Sequence, residues 1–183
     1  MTNSVVGWTI AAVLLFWAVG AYNRLMRLRA EANSAFAAVD TELARQVSLV
    51  REQLPRGDDP ASFWEGLHAA SAQLAATLAS ARAKPLEPEN IATLSSAQDV
   101  VRMAWERAER DDAHDLAGPR LPDTVLLRRA QLQLQAHAAT ETFNNAVARY
   151  NEAIAQFPAV LLAWLFGFKP ARALAPVIVP QIA

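Results

Sequence analysis

Ser4–Tyr22 reads SVVGWTIAAVLLFWAVGAY, and Asn23–Leu54 continues it as NRLMRLRAEANSAFAAVDTELARQVSLVREQL. The first stretch is 19 residues without a charge. As a helix it covers roughly 28 Å, close to the hydrocarbon thickness of a bilayer. Val5, Trp8, Leu14, Leu15, Phe16, Trp17 and Val19 supply its apolar surface, and Tyr22 falls where an interface would lie. A buried core helix is one alternative, but such helices rarely run this long without a charge. A cleaved signal sequence is another, since Ala18-Val19-Gly20 has the small-x-small form of a cleavage site. Met1–Ser4, however, carries no Lys or Arg. The stretch therefore reads as a retained transmembrane anchor. Arg24, Arg27 and Arg29 follow it and no basic residue precedes it, which places the N-terminus outside and the following domain in the cytoplasm.

The second stretch has a helical period. Leu25, Leu28, Ala32, Phe36, Val39, Leu43, Val47, Val50 and Leu54 recur three or four residues apart, one buried stripe along a helix over about 22–54. Pro55-Arg56-Gly57-Asp58-Asp59-Pro60 ends it. A second helix carries Phe63, Trp64, Leu67, Leu74 and Leu78 and stops near Lys84, before Pro85. Pro88-Glu89-Asn90 opens a third, with Ile91, Leu94, Val101, Trp105 and Ala108, which stops by Gly118-Pro119. A fourth follows Pro122, with Asp123 or Thr124 as N-cap, and its stripe is Leu132, Ala136, Phe143, Val147, Tyr150, Ile154 and Phe157. No stretch alternates with period two.

The expected fold is all-α. A transmembrane helix (1–22) continues into an elongated up-down-up-down antiparallel four-helix bundle (23–157). An apolar aromatic membrane-proximal segment (158–172) and an irregular tail (173–183) follow. Four antiparallel passes return Phe157 to about the level of Tyr22. The segment from Pro158 to Phe168 is too short to span, so Trp164, Phe166 and Phe168 are placed to enter the interface, with Lys169 and Arg172 at the headgroups. The alternative is a hydrophobic lid on the end of the bundle.

Acids and bases number 18 and 17, for a net charge of −1 in 183 residues. That excludes a strongly basic nucleic-acid binder. There is no cysteine, hence no disulfide, thiolate metal site or cysteine nucleophile. His68, His114 and His137 stand in no recognised ligand spacing. Asp111, Asp112 and Asp115, with His114, lack the pattern of a calcium loop, and Asp58-Asp59 is ordinary turn chemistry. No phosphate loop, nucleophile elbow or HExxH occurs. No catalytic, cofactor-binding or metal-binding residue is assigned. Asn23, Asn144 and Asn151 recur beside aromatics and read as buried amides that fix helix register, with a polar partner contact as the alternative.

Two segments together resemble the LemA family. Tyr22-Asn23-Arg24-Leu25-Met26-Arg27-Leu28-Arg29, followed by Ala35-Phe36, Val39-Asp40 and Leu43, is similar to the family's YN-x-LV-x-LR … A-W … I-D … L segment after its membrane helix. Phe143-Asn144, Tyr150-Asn151, Ile154, Phe157-Pro158 and Ala163-Trp164-Leu165-Phe166-Gly167-Phe168 are similar to its Y-N … YN-x-x-I-x-x-FP … A-x-LFGF ending. The chain departs from the family at Arg45–Gln53, where R-R-x-D-L-I-P-N-L is usual, and the middle, 55–120, matches weakly. The resemblance implies a bacterial inner-membrane protein, single-pass and helical, acting as a scaffold or accessory factor beside other membrane proteins. Expected partners are the bilayer and such proteins, with self-association open and no nucleic acid. A lipid-binding or membrane-remodelling role for the aromatic segment is the rival reading.

Overall fold

The structure, a computed structural model, describes residues 2–54, 64–113, 121–157 and 159–176. The expected breaker at 55–60, Phe63, His114, Asp115, Gly118-Pro119, Pro158 and the tail beyond Pro176 lie outside the described residues. Five helices occur, and no strand among the described residues: α1 (Thr2–Gln53), α2 (Glu65–Ala83), α3 (Pro88–Ala113), α4 (Asp123–Ala155) and α5 (Ala159–Phe166).

α1 runs without interruption from the apolar stretch through the amphipathic one. No proline falls within it, so nothing removes a backbone donor. From Leu25 onward it buries Leu25, Ala32, Phe36, Val39, Leu43 and Val50, joined by Leu54 just past its end, with Leu28 and Val47 half-buried against them. α4 packs along this face in the opposite direction. Arg24 meets Gln156 at 3.5 Å, Glu31 meets Arg149 at 2.6 Å, and the Phe36 and Phe143 rings stand 5.5 Å apart, edge to face. As the α1 number rises, its α4 partner's falls. On its other flank α1 meets α2, where Arg82 clasps both carboxylate oxygens of Asp40 at 2.8 to 3.1 Å. Leu67, Leu74 and Leu78 of α2 and Ile91, Leu94, Val101 and Trp105 of α3 complete the core.

Helix ends follow local chemistry. Pro85 ends α2, and Asn90 Nδ2 donates to the Ser80 and Lys84 carbonyls there. Pro88 occupies the first turn of α3, where no donor is lost. α4 corrects the expected cap: the N-cap residue is Pro122, with no side-chain bond, and Asp123 is already helical. The Pro122 carbonyl receives the N–H of Val125 at 2.9 Å, and the Asp123 charge faces the positive end of the helix. A second correction concerns Phe157. α4 ends at Ala155, so Phe157 leaves the stripe and is 81% exposed.

Between α3 and α4 the backbones stay apart. Among the described residues no Cα of α3 lies within 8 Å of one of α4. Side chains bridge the gap at one end. Arg129 of α4 is buried, pairs with Glu109 and stacks on the Trp105 ring at 4.7 Å. Burial pulls its guanidinium below the ordinary arginine value, with Glu109 and Glu106 opposing.

Thr140 is buried on α4 and its hydroxyl has no hydrogen-bond partner among the described residues. An unpaired buried hydroxyl is destabilising. Thr140→Val should therefore raise stability by about 1 kcal/mol in equilibrium denaturation. A fall of that size would mean the hydroxyl is satisfied in solution.

Candidate functional site

The described side chains of α1 from Val6 to Phe16 are all exposed. Trp8 is 78% and Phe16 83% exposed, and Val13, Leu14, Leu15, Trp17 and Val19 are exposed with them. The side chain of Val5 lies outside the described set. This is a helix long and apolar enough to cross a membrane, with a mean hydropathy of 1.5 over its best 18-residue window.

α5 meets α1 where that stretch ends. Tyr22 contacts the Phe166 ring at 5.0 Å and the Phe168 ring at 6.0 Å. The Arg29 guanidinium lies 6.0 Å from the centre of the Phe168 ring. Phe157 lines a cleft with Trp17, Gly20, Ala21 and Arg24, so the end of α4 has returned to the level of Tyr22. α5 buries Ala163 and turns Val160, Leu161, Trp164, Leu165 and Phe166 outward, with Trp164 84% exposed. It therefore covers the end of α1 and α4 with Ala159, Ala163 and part of Phe166, and leaves most of its large apolar surface exposed. Arg24, Arg27 and Arg29 are exposed beside it, as are Lys169 and Arg172 beyond it.

Gly167 ends α5 with a φ of +68°, the left-handed conformation that glycine adopts without strain. The Phe168 N–H then donates to the Ala163 carbonyl at 2.9 Å, the six-to-one bond of a Schellman cap. This turn sends the chain back along the helices as a strap, residues 168–176, with neither helix nor strand.

The asparagines hold that strap. Asn151 donates to the Ala171 carbonyl and accepts from its N–H, both at 2.8 Å. Asn144 does the same to Leu174, at 2.9 and 2.8 Å. Tyr150 Oη donates to the Lys169 carbonyl at 3.1 Å, and the Ala175 N–H reaches Ser95 Oγ on α3 at 3.2 Å. This corrects the register reading. Asn144 and Asn151 pair with their own C-terminal backbone, not across helices, and Asn23 is exposed. An asparagine carries a donor and an acceptor side by side, which matches the N–H and C=O of one extended residue. Seven residues of helix rise about 10.5 Å, and three residues of extended chain cover about 10 Å. The spacing Asn144 to Asn151 thus fits Leu174 to Ala171.

Other residues of the two motifs hold the fold. Leu25 and Leu43 are core, Leu28 is half-buried, and Asp40 belongs to its ion pair with Arg82. The acidic residues at the end of α3 are likewise engaged: Asp111 with Arg107 at 3.7 Å, and Asp112 accepting the Leu121 N–H at 3.1 Å. His137 faces Glu141 at 3.4 Å. Among the described residues no cluster of His, Asp and Glu could hold a metal ion.

Tyr150 gives the strap a pH signature. Burial pushes its phenol above the ordinary value of 10.0, with Arg29 opposing. The folded state favours the neutral form, so this stabilisation is full below pH 10 and is lost as pH climbs through the raised folded value. Tyr150→Phe should lose about 1 kcal/mol at pH 7 with the Lys169 bond. It should also flatten the decline of stability above pH 10. Parallel stability curves for the two chains between pH 9 and 11 would show that another group carries the alkaline loss.

Comparisons of this chain with protein-family models, with curated proteins and with solved structures find no match.

Proposed function

We propose that this chain is a single-pass membrane protein of LemA type whose helical domain acts as a scaffold or accessory factor for other membrane proteins. One observation carries the reading. The exposed apolar half of α1 and the exposed apolar face of α5 meet at a single level, marked by Tyr22, Phe166 and Phe168. In water such a surface would be unstable as a monomer's exterior. In a bilayer the first 20 or so residues of α1 cover about 30 Å, the hydrocarbon core. α5, at about 12 Å, lies in the interface with Trp164, Leu165 and Phe166 among the acyl chains.

In this reading residues 23–157 form an up-down-up-down four-helix bundle standing off a bacterial inner membrane. Arg24, Arg27 and Arg29 hold it on the cytoplasmic side, each adding about 1 kcal/mol against an anionic leaflet. The mechanism is presentation: a rigid tethered rod displays helix faces at a fixed height. No reaction is assigned to it.

Topology tests the reading. The chain has no cysteine, so Thr2→Cys and Arg107→Cys report cleanly to an impermeant maleimide on spheroplasts. Labelling at position 2 alone is expected. Labelling at position 107 alone would put the rod outside and overturn the arginine argument.

The exposure of Trp164 favours a second reading, in which lipid binding or membrane remodelling through α5 is itself the function and no protein partner is needed. An environment-sensitive fluorophore at Leu165→Cys should shift to the blue in proteoliposomes and be quenched by lipids spin-labelled near the headgroup. An unshifted, unquenched probe would leave α5 as a lid.

A further inference from the structure

The slot between α3 and α4 is unlike a helix–helix contact. The two backbones do not meet, and an extended segment fills part of the space. The contacts that hold this segment address its main chain. Asn151 and Asn144 each read the N–H and C=O of one residue, Tyr150 reads a carbonyl, and Ser95 reads an N–H. Such contacts give affinity without selecting side chains, as in strand addition to a sheet edge. Selection comes from one residue in three. Phe168 is half-buried, Ala171 buried and Leu174 only 1% exposed, while Lys169, Pro170, Arg172, Ala173 and Ala175 face outward. Three residues per turn is the period of a polyproline-II chain, and prolines stand at 170 and 176.

The slot also goes on past Leu174. Ala175 and Pro176 border a cavity of about 60 Å³, lined on the helices by Gln46, Gln98, Arg102, Arg129 and Gln133 among others. The Nε donors of Arg102 and Arg129 are buried and have no hydrogen-bond partner among the described residues. Arg129 as a whole is 8% exposed.

We propose that the α3–α4 slot is a peptide-binding site that reads an extended main chain, with this chain's residues 168–176 as its resident ligand. Its ligand class is an extended, proline-flanked segment with a small residue and a leucine three positions apart, and an aromatic residue three positions before the small one. The resident copy is tethered through the single turn at Gly167. A segment of the same pattern from another protein competes for the slot when the tether releases. This site is independent of where the apolar half of α1 lies.

The probe is a fluorescein-labelled peptide with the sequence FKPARALAP, taken from Phe168–Pro176. The protein is the full chain in detergent micelles with Ala171→Asp and Leu174→Asp, which bar the resident tail from its two pockets. Fluorescence anisotropy is expected to show saturable binding to this variant. Adding Asn144→Leu or Asn151→Leu should weaken it by about tenfold or more, two hydrogen bonds being lost in each. The native chain should bind the peptide at least about tenfold more weakly, because a tethered tail competes at millimolar effective concentration. A folded, monodisperse variant that binds no peptide up to millimolar concentration overturns the proposal. Should the variant not fold, amide exchange on the native chain decides. Ala171 and Leu174 N–H exchanging through a local opening faster than α4 amides supports a detachable ligand. Exchange only with the α4 core makes the strap an integral part of the fold and overturns the proposal.

Discussion

Val13→Arg should move the full chain out of the integral membrane fraction by about two orders of magnitude. Val13 sits near the middle of the uncharged stretch and is exposed in the structure. An arginine at the centre of a spanning helix is unfavourable by about 3 kcal/mol relative to valine, and each 1.4 kcal/mol is a factor of ten. Carbonate extraction and an insertion reporter measure the shift directly. Val13→Leu, which keeps the surface apolar, should extract like the native chain. If Val13→Arg also extracted like the native chain, the apolar half of α1 would not be crossing lipid, and the anchor reading would fail with it.

Phe143→Ala should remove about 3–5 kcal/mol of unfolding free energy. Phe143 is fully buried and Phe36 is 2% exposed, so truncating either ring leaves an apolar cavity that the neighbouring side chains fill only in part. Phe36→Ala should lose a similar amount. Because the rings touch edge to face, the double variant should fall short of the sum by about 0.5–1.5 kcal/mol. The pair Glu31–Arg149 crosses the same two helices but is half exposed on both sides. Its removal should change stability by less than about 1 kcal/mol. Denaturant titration in micelles compares them. Equal losses from the rings and from the ion pair would mean that α1 and α4 are not held by their apolar seam.

The core was legible because it is periodic. Every stripe position from Leu25 to Leu54 is buried or half-buried, since a 3.6-residue period leaves only one face to cover. Arg129 is marked by the same spacing. It stands between Val125 and Leu132 at stripe spacing, and a charge there signals a side chain paired in the interior. The strap was not legible by the same means. Its signal is a period of three over only three positions, Phe168, Ala171 and Leu174, and its partners are asparagine side chains some 20 to 30 residues away along the chain. Asn144 and Asn151 stood out as residues, but pattern reading matches side chains to side chains, and these two match a backbone. Phe157 failed for a third reason. Its spacing continues the α4 stripe, but the helix ends two residues before it.

The unbroken run of α1 from Thr2 to Gln53 has a mechanical meaning. From Asn23 to Gln53 it projects about 45 Å beyond the level of Tyr22, with no proline to act as a hinge. With its first half in a bilayer, a change of tilt by about 10° swings the far tip sideways by about 8 Å, and thickness mismatch readily drives tilts of that order. Because α5 is fastened to α1 through Tyr22 and Phe166, the same swing drives α5 deeper or draws it out. On the proposed membrane placement the helix would be a lever with its fulcrum at the membrane surface, converting bilayer thickness into lateral position of the tip.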